Sequence, residues 1–360
     1  MSHNLPWTDY GTFPNNEFDL VVVIGRFQPF HVGHKYLLEK AEQLSRNRLL
    51  LIGSAFIARD IDNPFTFKER SEMVNSVVGD RNWRILPIQD DLYSLQVWVG
   101  FVQTQVNMIL EELGINPKNA RVAIAGHNKD SSSYYLQLFP SYKFVEVGSF
   151  GHLDATTIRQ KMFDEQIVVT DVIPEAVRAY ILDWTYKNTE TYQVLVDEYV
   201  FIKNYKKQYE EYPYSPVFVT VDAVVLCHGH VLLVKRRCLP GKGLWALPGG
   251  FLEPNEFVID GIIRELFEET RVKVDPIFLR ASMKGFPRVF DHPNRSKRGR
   301  TITHAGLFVL DTLELPKIRG QESEVEKVRW VPLAEFYDGM SSLMFEDHYS
   351  IINYMVNRAS

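Results

Sequence analysis

Five short apolar runs, at residues 19–24, 48–53, 84–88, 121–125 and 143–147, alternate with helix-patterned stretches along the first part of the chain. Runs this short and this aliphatic suit strands buried on both faces, and a helix between successive strands lets them lie parallel. The alternation predicts an α/β fold whose first part is a doubly wound parallel sheet with helices on both faces. Helical patterns continue from Pro174 to Thr185, and a polar, tyrosine-rich stretch from Tyr192 to Tyr212 ends at Pro213 and Pro216. Beyond Val217 the texture changes to β-branched alternation, with a turn at His228-Gly229-His230 and a return from Val231 to Val234, which reads as a hairpin. Further strands are expected at 304–311 and 325–331, with a terminal helix after Glu346. The expected organisation is a first domain over 1–190, a helical linker over 191–216 and a second domain over 217–360.

The first strand runs into GRFQPFHVGH, residues 25–34, and Tyr36, Leu37, Leu38, Ala41 and Leu44 then recur at helical spacing. His31 and His34 would sit where that helix begins. Backbone N–H groups and the helix dipole favour phosphate there, and paired imidazoles can donate hydrogen bonds to charge that develops in transfer. An isolated HxxH is also compatible with two solvated or hydrogen-bonded histidines; its place directly after the first strand favours a site.

This segment resembles the HxGH nucleotidyltransferases, and its fuller form resembles the nicotinamide mononucleotide (NMN) adenylyltransferases of archaeal and related bacterial type. Gly53-Ser54-Ala55 followed by Asn63 to Arg70 matches a further pattern of that family in chain order, and Thr66 with Glu69 also forms a capping box for the next helix. Pro87 and Asp90 through Trp98 resemble the nicotinamide-side segment, in which the aspartate meets the nucleotide and the indole stacks on the ring; a helical Trp98 could equally be core. Gly126 to Leu136, GHNKDSSSYYL, and Leu153 to Arg159, LDATTIR, resemble two more, the second with Asp154 in place of a serine. The resemblance implies a Rossmann-like fold that binds ATP through Gly25, Arg26, Phe27, His31, His34, Lys129, Thr156 and Arg159. It implies NMN binding by Arg59, Asn63, Asp90 and Trp98. The implied reaction is in-line attack of the NMN phosphate on the ATP α-phosphorus, giving NAD and pyrophosphate with magnesium accompanying ATP and no protein nucleophile.

In the second half, a glycine turn feeds an acid-rich helix. A helix from near Asn255 to Thr270 would bury Ile259, Ile262, Ile263 and Leu266 and project Glu265, Glu268 and Glu269 from one flank, because positions three and four apart are neighbours. Like charges so placed repel, which suits hard divalent cations; a solvated face with Arg264 paired to Glu268 is the simpler alternative.

The stretch from Gly250 to Val272 resembles the Nudix box at every fixed position except the last glycine, which is Arg271. A residue with a side chain adopts the left-handed helix end less easily, so the end of this helix is expected to differ. The resemblance implies an α/β/α sandwich around a mixed sheet, with Mg2+ or Mn2+ held by Glu265, Glu268 and Glu269 and with Gly250, Glu256 and Arg264 as structural residues. The implied reaction is diphosphate hydrolysis. Phe290 to Arg300, FDHPNRSKRGR, resembles the branch that acts on ADP-ribose, though Ser296 replaces its acidic residue; read alone it is a basic surface loop. Glu322 and Glu324 are candidates for a further ligand or base.

Together the two halves resemble a bifunctional adenylyltransferase and Nudix hydrolase fusion, with ATP, NMN, NAD and ADP-ribose as small-molecule partners. Transfer to another acceptor, with the Nudix domain as a nucleotide sensor that does not hydrolyse, is the alternative; Asp90, Trp98 and the complete acid set argue against it. At 360 residues and 45% apolar content the chain can build two cores. A net charge of -5 with scattered cations gives no basic face for nucleic acid. Two cysteines make neither a disulfide framework nor a zinc set, and no apolar run approaches a membrane span, so a cytoplasmic protein is expected. Nothing in the sequence selects an oligomeric state.

Overall fold

The computed structural model describes residues 17–127, 138–148, 150–151, 154–165, 171–321 and 323–358. Strands β1 (Leu20–Gly25), β2 (Arg48–Ile52), β3 (Trp83–Pro87), β4 (Val122–Gly126) and β5 (Lys143–Glu146) lie within one residue or so of the five expected runs. They form one sheet in the order β3-β2-β1-β4-β5, and every neighbouring pair is parallel. Alternate residues of β1 supply opposite faces: Val21 and Val23 enter one apolar cluster with Leu38, Ala41, Met73 and Val74, whereas Leu20 and Val22 enter another with Val102, Val106 and Ile109. Those partners come from α1 (Val32–Ala41), α2 (Phe67–Val78) and α3 (Leu95–Glu112), so helices cover both faces. The strand order reverses between β1 and β4, and the crevice at the carboxyl ends of such strands is where ligands bind in open α/β sheets.

Helices α4 (Ala155–Asp164), α5 (Glu175–Lys187) and α6 (Thr189–Lys207) follow. Much of α6 falls in the stretch expected as linker, yet its Tyr192, Leu195 and Val196 are buried in the first domain's core. Farther along α6, Glu198 accepts a hydrogen bond from the Gly241 N–H at 2.9 Å, tying the helix to the second domain.

The second sheet is mixed. Strand β6 (Val217–Cys227) turns through His228 and Gly229, both left-handed at φ 45° and 70°, into β7 (His230–Arg236), as the alternation predicts. The short strands β8 (Trp245–Ala246) and β9 (Gly249–Phe251) pair with β7 and β6, while β10 (Arg288–Phe290), β11 (Arg300–Leu310) and β12 (Val325–Pro332) complete the order β10-β11-β6-β7-β12. Only β6 with β11 is parallel in that path. Helix α7 (Val258–Thr270) covers one face, where Ile262 and Leu266 are fully buried. The other face carries α9 (Leu333–Tyr337) and α10 (His348–Val356), packed through Phe336, Ile351 and Ile352; a short α8 (Pro276–Ala281) follows α7.

Helix α7 begins three residues later than the periodicity suggests. Glu253 to Glu256 form a turn in which the Glu256 carboxylate accepts the Glu253 N–H at 2.8 Å, so those residues serve the loop. Its end also corrects an expectation: Arg271 takes the left-handed conformation itself, at φ 43° and ψ 36°, and donates its N–H to Phe267 as the usual glycine would.

Candidate functional sites

At the first site, the carboxyl ends of β1 and β2 are joined by the Gly53 N–H donating to the Gly25 carbonyl at 3.0 Å. A Cβ on Gly25 would stand 3.0 Å from the Phe27 ring, and one on Gly33 would stand 3.0 Å from the His31 ring, so a side chain at either position would press on those rings. His31 is the N-cap of α1. Its Nδ1 accepts the Gly33 N–H at 3.1 Å, and His34 Nδ1 accepts the His31 N–H at 3.3 Å. The two rings stack with centroids 3.7 Å apart. With each Nδ1 an acceptor, a neutral ring carries its proton on Nε2. Burial, reinforced by His31, pulls His34 well below the ordinary imidazole value and keeps it neutral.

Helix α4 reaches the same loop through Arg159, which is 4% exposed. Its Nη1 donates to the Gln28 carbonyl at 2.9 Å, and Nη2 to Asp62 at 3.2 Å and Thr156 Oγ1 at 3.3 Å, while its buried Nε has no partner among the described residues. The replacement of serine by Asp154 has a visible consequence: the carboxylate caps α4 by accepting the Thr156 N–H at 3.0 Å. That N–H, in the first turn of the helix that carries Thr156 and Arg159, is occupied by a carboxylate. Arg26 is exposed beside this loop.

Among the expected NMN residues, Asp90 accepts from Ser54 Oγ at 2.6 Å at the ends of β2 and β3. Arg59 is committed elsewhere, to both oxygens of Glu69 at 2.6 and 2.8 Å and to the Pro64 carbonyl. Asn63 donates to Asp60 at 3.1 Å, and its buried Oδ1 has no partner among the described residues. Trp98 is half-buried against the α3 cluster, its ring 6.0 Å from that of Phe139. Lys129 and most of the Gly126 to Leu136 segment lie outside the described residues. A residue whose role the sequence hid is Arg70: fully buried, it donates to the carbonyls of Arg26 and Gly53 at 2.7 Å and of Ser54 at 2.8 Å, clamping two loops together.

At the second site, Arg264 binds Glu256 through Nε at 3.0 Å and Nη2 at 2.7 Å and also reaches Glu265 at 2.9 Å and Glu268 at 3.0 Å. The simple helix-face pair thus exists, but inside a larger network. Glu265 and Glu269 are 9% and 8% exposed, whereas Glu268 points outward. A Cβ on Gly250 would come within 2.5 Å of the Glu265 carboxylate, and the Gly249 N–H donates to Glu269 at 3.1 Å, so the glycine turn is moulded around the acids. Burial raises the Glu265 carboxyl, with Glu268 and Glu324 adding to the rise, and pushes Glu269 up to about 8, with Glu265 and Glu324 adding there. Glu322 lies outside the described residues.

Two carboxyls held this far out of water, beside a third, fit a hard divalent cation, which would offset the repulsion and deprotonate Glu269. Sequence reasoning missed Glu346, a carboxyl that burial pushes up to about 7 beside Arg298, although it stands in an acid run, Glu346-Asp347, just before α10. The Phe290 to Arg300 segment is no loose surface loop. Arg295 is buried and pairs with both oxygens of Asp347 at 2.9 Å, and Tyr93 of the first domain donates to the same carboxylate.

The two folds and sites define a nucleotidyltransferase joined to a Nudix hydrolase. Family models agree: residues 22–135 match the cytidylyltransferase-like family and 217–354 the NUDIX domain. A nicotinamide/nicotinic acid mononucleotide adenylyltransferase of Acinetobacter baylyi is 34% identical over 185 residues, covering 51% of this chain and 94% of the relative. An ADP-ribose pyrophosphatase of Methanocaldococcus jannaschii is 32% identical over 139 residues, covering 38% of this chain and 72% of the relative. A solved bifunctional NMN adenylyltransferase/ADP ribose pyrophosphatase from Francisella tularensis, complexed with AMP and a manganese ion, superposes with a TM-score of 0.87 at 36% identity over 95% of this chain and 100% of its own. The chain belongs to the family of bifunctional NMN adenylyltransferase/ADP-ribose pyrophosphatases. Among the described residues no helix is long and apolar enough to cross a membrane.

Proposed function

We propose that the first site makes NAD from ATP and NMN and that the second hydrolyses ADP-ribose to AMP and ribose 5-phosphate. In the first reaction the NMN phosphate oxygen bonds to the ATP α-phosphorus as the bond to pyrophosphate breaks, so the protein need only position the partners and offset charge. His31 and His34 present Nε2–H donors from one stacked pair, Arg26 and Arg159 supply fixed positive charge, and Asp90 meets the nucleoside of NMN. Magnesium is the expected companion of ATP.

In the hydrolase, Glu265, Glu268 and Glu269 would hold Mg2+ or Mn2+. A bound ion would offset phosphate charge and lower the pKa of a bound water. Glu256 orients Arg264, which bridges Glu265 and Glu268 and offsets their repulsion, and Gly249 with Gly250 leave the space that the carboxylates fill. A cytoplasmic location suits nucleotide substrates and two free cysteines.

The observation that carries the hydrolytic reading is the burial of Glu265 and Glu269 against the glycine turn, since a solvated acidic face would not be desolvated. Replacing Glu269 by glutamine keeps an acceptor for the Gly249 N–H but removes the charge, and should lower ADP-ribose hydrolysis by about 100-fold or more while NAD synthesis persists. Undiminished hydrolysis would exclude the carboxylate role. For the first site, acceptors are compared side by side with ATP; faster turnover of an acceptor other than NMN would overturn the assignment.

A further inference from the structure

One side chain crosses from the Nudix domain to the adenylyltransferase site. Lys297 follows Arg295 and Ser296, which are 4% and 6% exposed, and Arg295 is locked to Asp347, so the backbone that carries Lys297 is anchored within the second domain. Its Nζ donates to Asp62 Oδ2 at 2.6 Å and lies 3.7 Å from Asp60 Oδ2. The other oxygen of Asp62 accepts from Arg159 at 3.2 Å. Asp60 Oδ1 is meanwhile occupied by the N–H groups of Asp62 and Asn63, both at 2.7 Å. The cluster therefore holds two carboxylates, Asp60 and Asp62, and two cations, Arg159 and Lys297.

Charge counting decides what Lys297 does. With it the cluster is neutral and a polyphosphate can approach Arg159 and the exposed Arg26. Without it the same place carries one net negative charge beside the proposed phosphate position, and Asp62 keeps Arg159 as its remaining close cation. Like charge at this range opposes an anionic ligand, and a carboxylate shared between two cations holds each less firmly than one bound to a single partner.

We propose that Lys297 is a positioning residue of adenylyl transfer, supplied by the Nudix domain, which neutralises Asp62 and so leaves Arg159 able to receive the ATP phosphates. This rests on the reading of Arg159 as a phosphate-facing group. The Nudix domain thereby completes the neighbouring site as well as bearing its own.

The test uses the full-length protein, with ATP varied at saturating NMN. Lys297→Met should raise the KM for ATP about tenfold with kcat changed by less than about threefold, and Lys297→Arg should recover most of the loss. In an Asp62→Asn background Lys297 keeps only the more distant Asp60, and removing it leaves Asp60 balanced by Arg159, so adding Lys297→Met should change the KM for ATP by less than about twofold. A merely structural role would lower thermal stability and kcat without this selective dependence on Asp62. The proposal is overturned if Lys297→Met matches the wild type, or if it has the same effect with Asp62 present and absent. Should Lys297→Met alone fail to fold, the charge-balanced double variant set against Asp62→Asn decides, and a tenfold difference between those two overturns it. A wild-type protein that made no NAD would instead remove the underlying reading of the site.

Discussion

Arg271 shows how one residue can depart from a family pattern while the backbone keeps it. The left-handed conformation costs a residue with a Cβ roughly 1–2 kcal/mol, and glycine recovers this less its own entropy in the unfolded chain. Arg271→Gly should therefore stabilise the protein by roughly 0.5–1 kcal/mol, read as a higher denaturant midpoint with an unchanged slope. A lower midpoint would mean that the Arg271 side chain makes a contribution larger than its strain. At this scale the motifs were informative about the acids and the glycines around them, since a side chain at position 250 would displace the Glu265 carboxylate from where it sits. They said little about Arg59, which resembles a ligand-facing position but is bound on both arms to Glu69. Nothing in a linear pattern shows that a guanidinium already has partners.

Elements were legible where periodicity was unambiguous. The five parallel strands and the β6–β7 hairpin follow from alternation and turn chemistry that are local properties of the chain. The start of α7 was not, because Glu256 can extend a helix or serve a loop, and the choice is made by Arg264 from eight residues away. Helix α10 illustrates a role hidden for the same reason. Its His348 accepts the Leu247 N–H on Nδ1 at 2.9 Å, and burial pulls the imidazole down to about 3 from 6.5. The unfolded chain takes up that proton as pH falls below about 6.5 and the folded chain does not until near 3, so the stabilising contribution is full above 6.5 and declines in the window between. A single such group contributes up to about 1.4 kcal/mol per pH unit there. His348→Gln, which retains an acceptor, should flatten the fall in stability between pH 6.5 and 4 relative to the wild type. Parallel profiles would show that His348 titrates normally.

At the scale of the whole molecule, the two catalytic units were readable separately, whereas their junction was not, because it is made by residues hundreds of positions apart. Tyr93 packs edge-on against Phe290 with ring centroids 4.9 Å apart and donates its hydroxyl to Asp347, while Arg295 occupies both oxygens of that carboxylate. Arg295 and Asp347 have side chains only 2% and 1% exposed, so removing one charge leaves the other buried and unpaired. Asp347→Asn should accordingly destabilise the protein by about 3–5 kcal/mol. Tyr93→Phe keeps the ring packing and loses one hydrogen bond to a charged group, for about 1.5–3 kcal/mol. Because both substitutions act on one carboxylate, their effects should fall short of additive in the double variant. Denaturant titration of the four proteins measures this; strict additivity would mean that Tyr93 and Arg295 are held independently, and that the domains meet here without sharing a network.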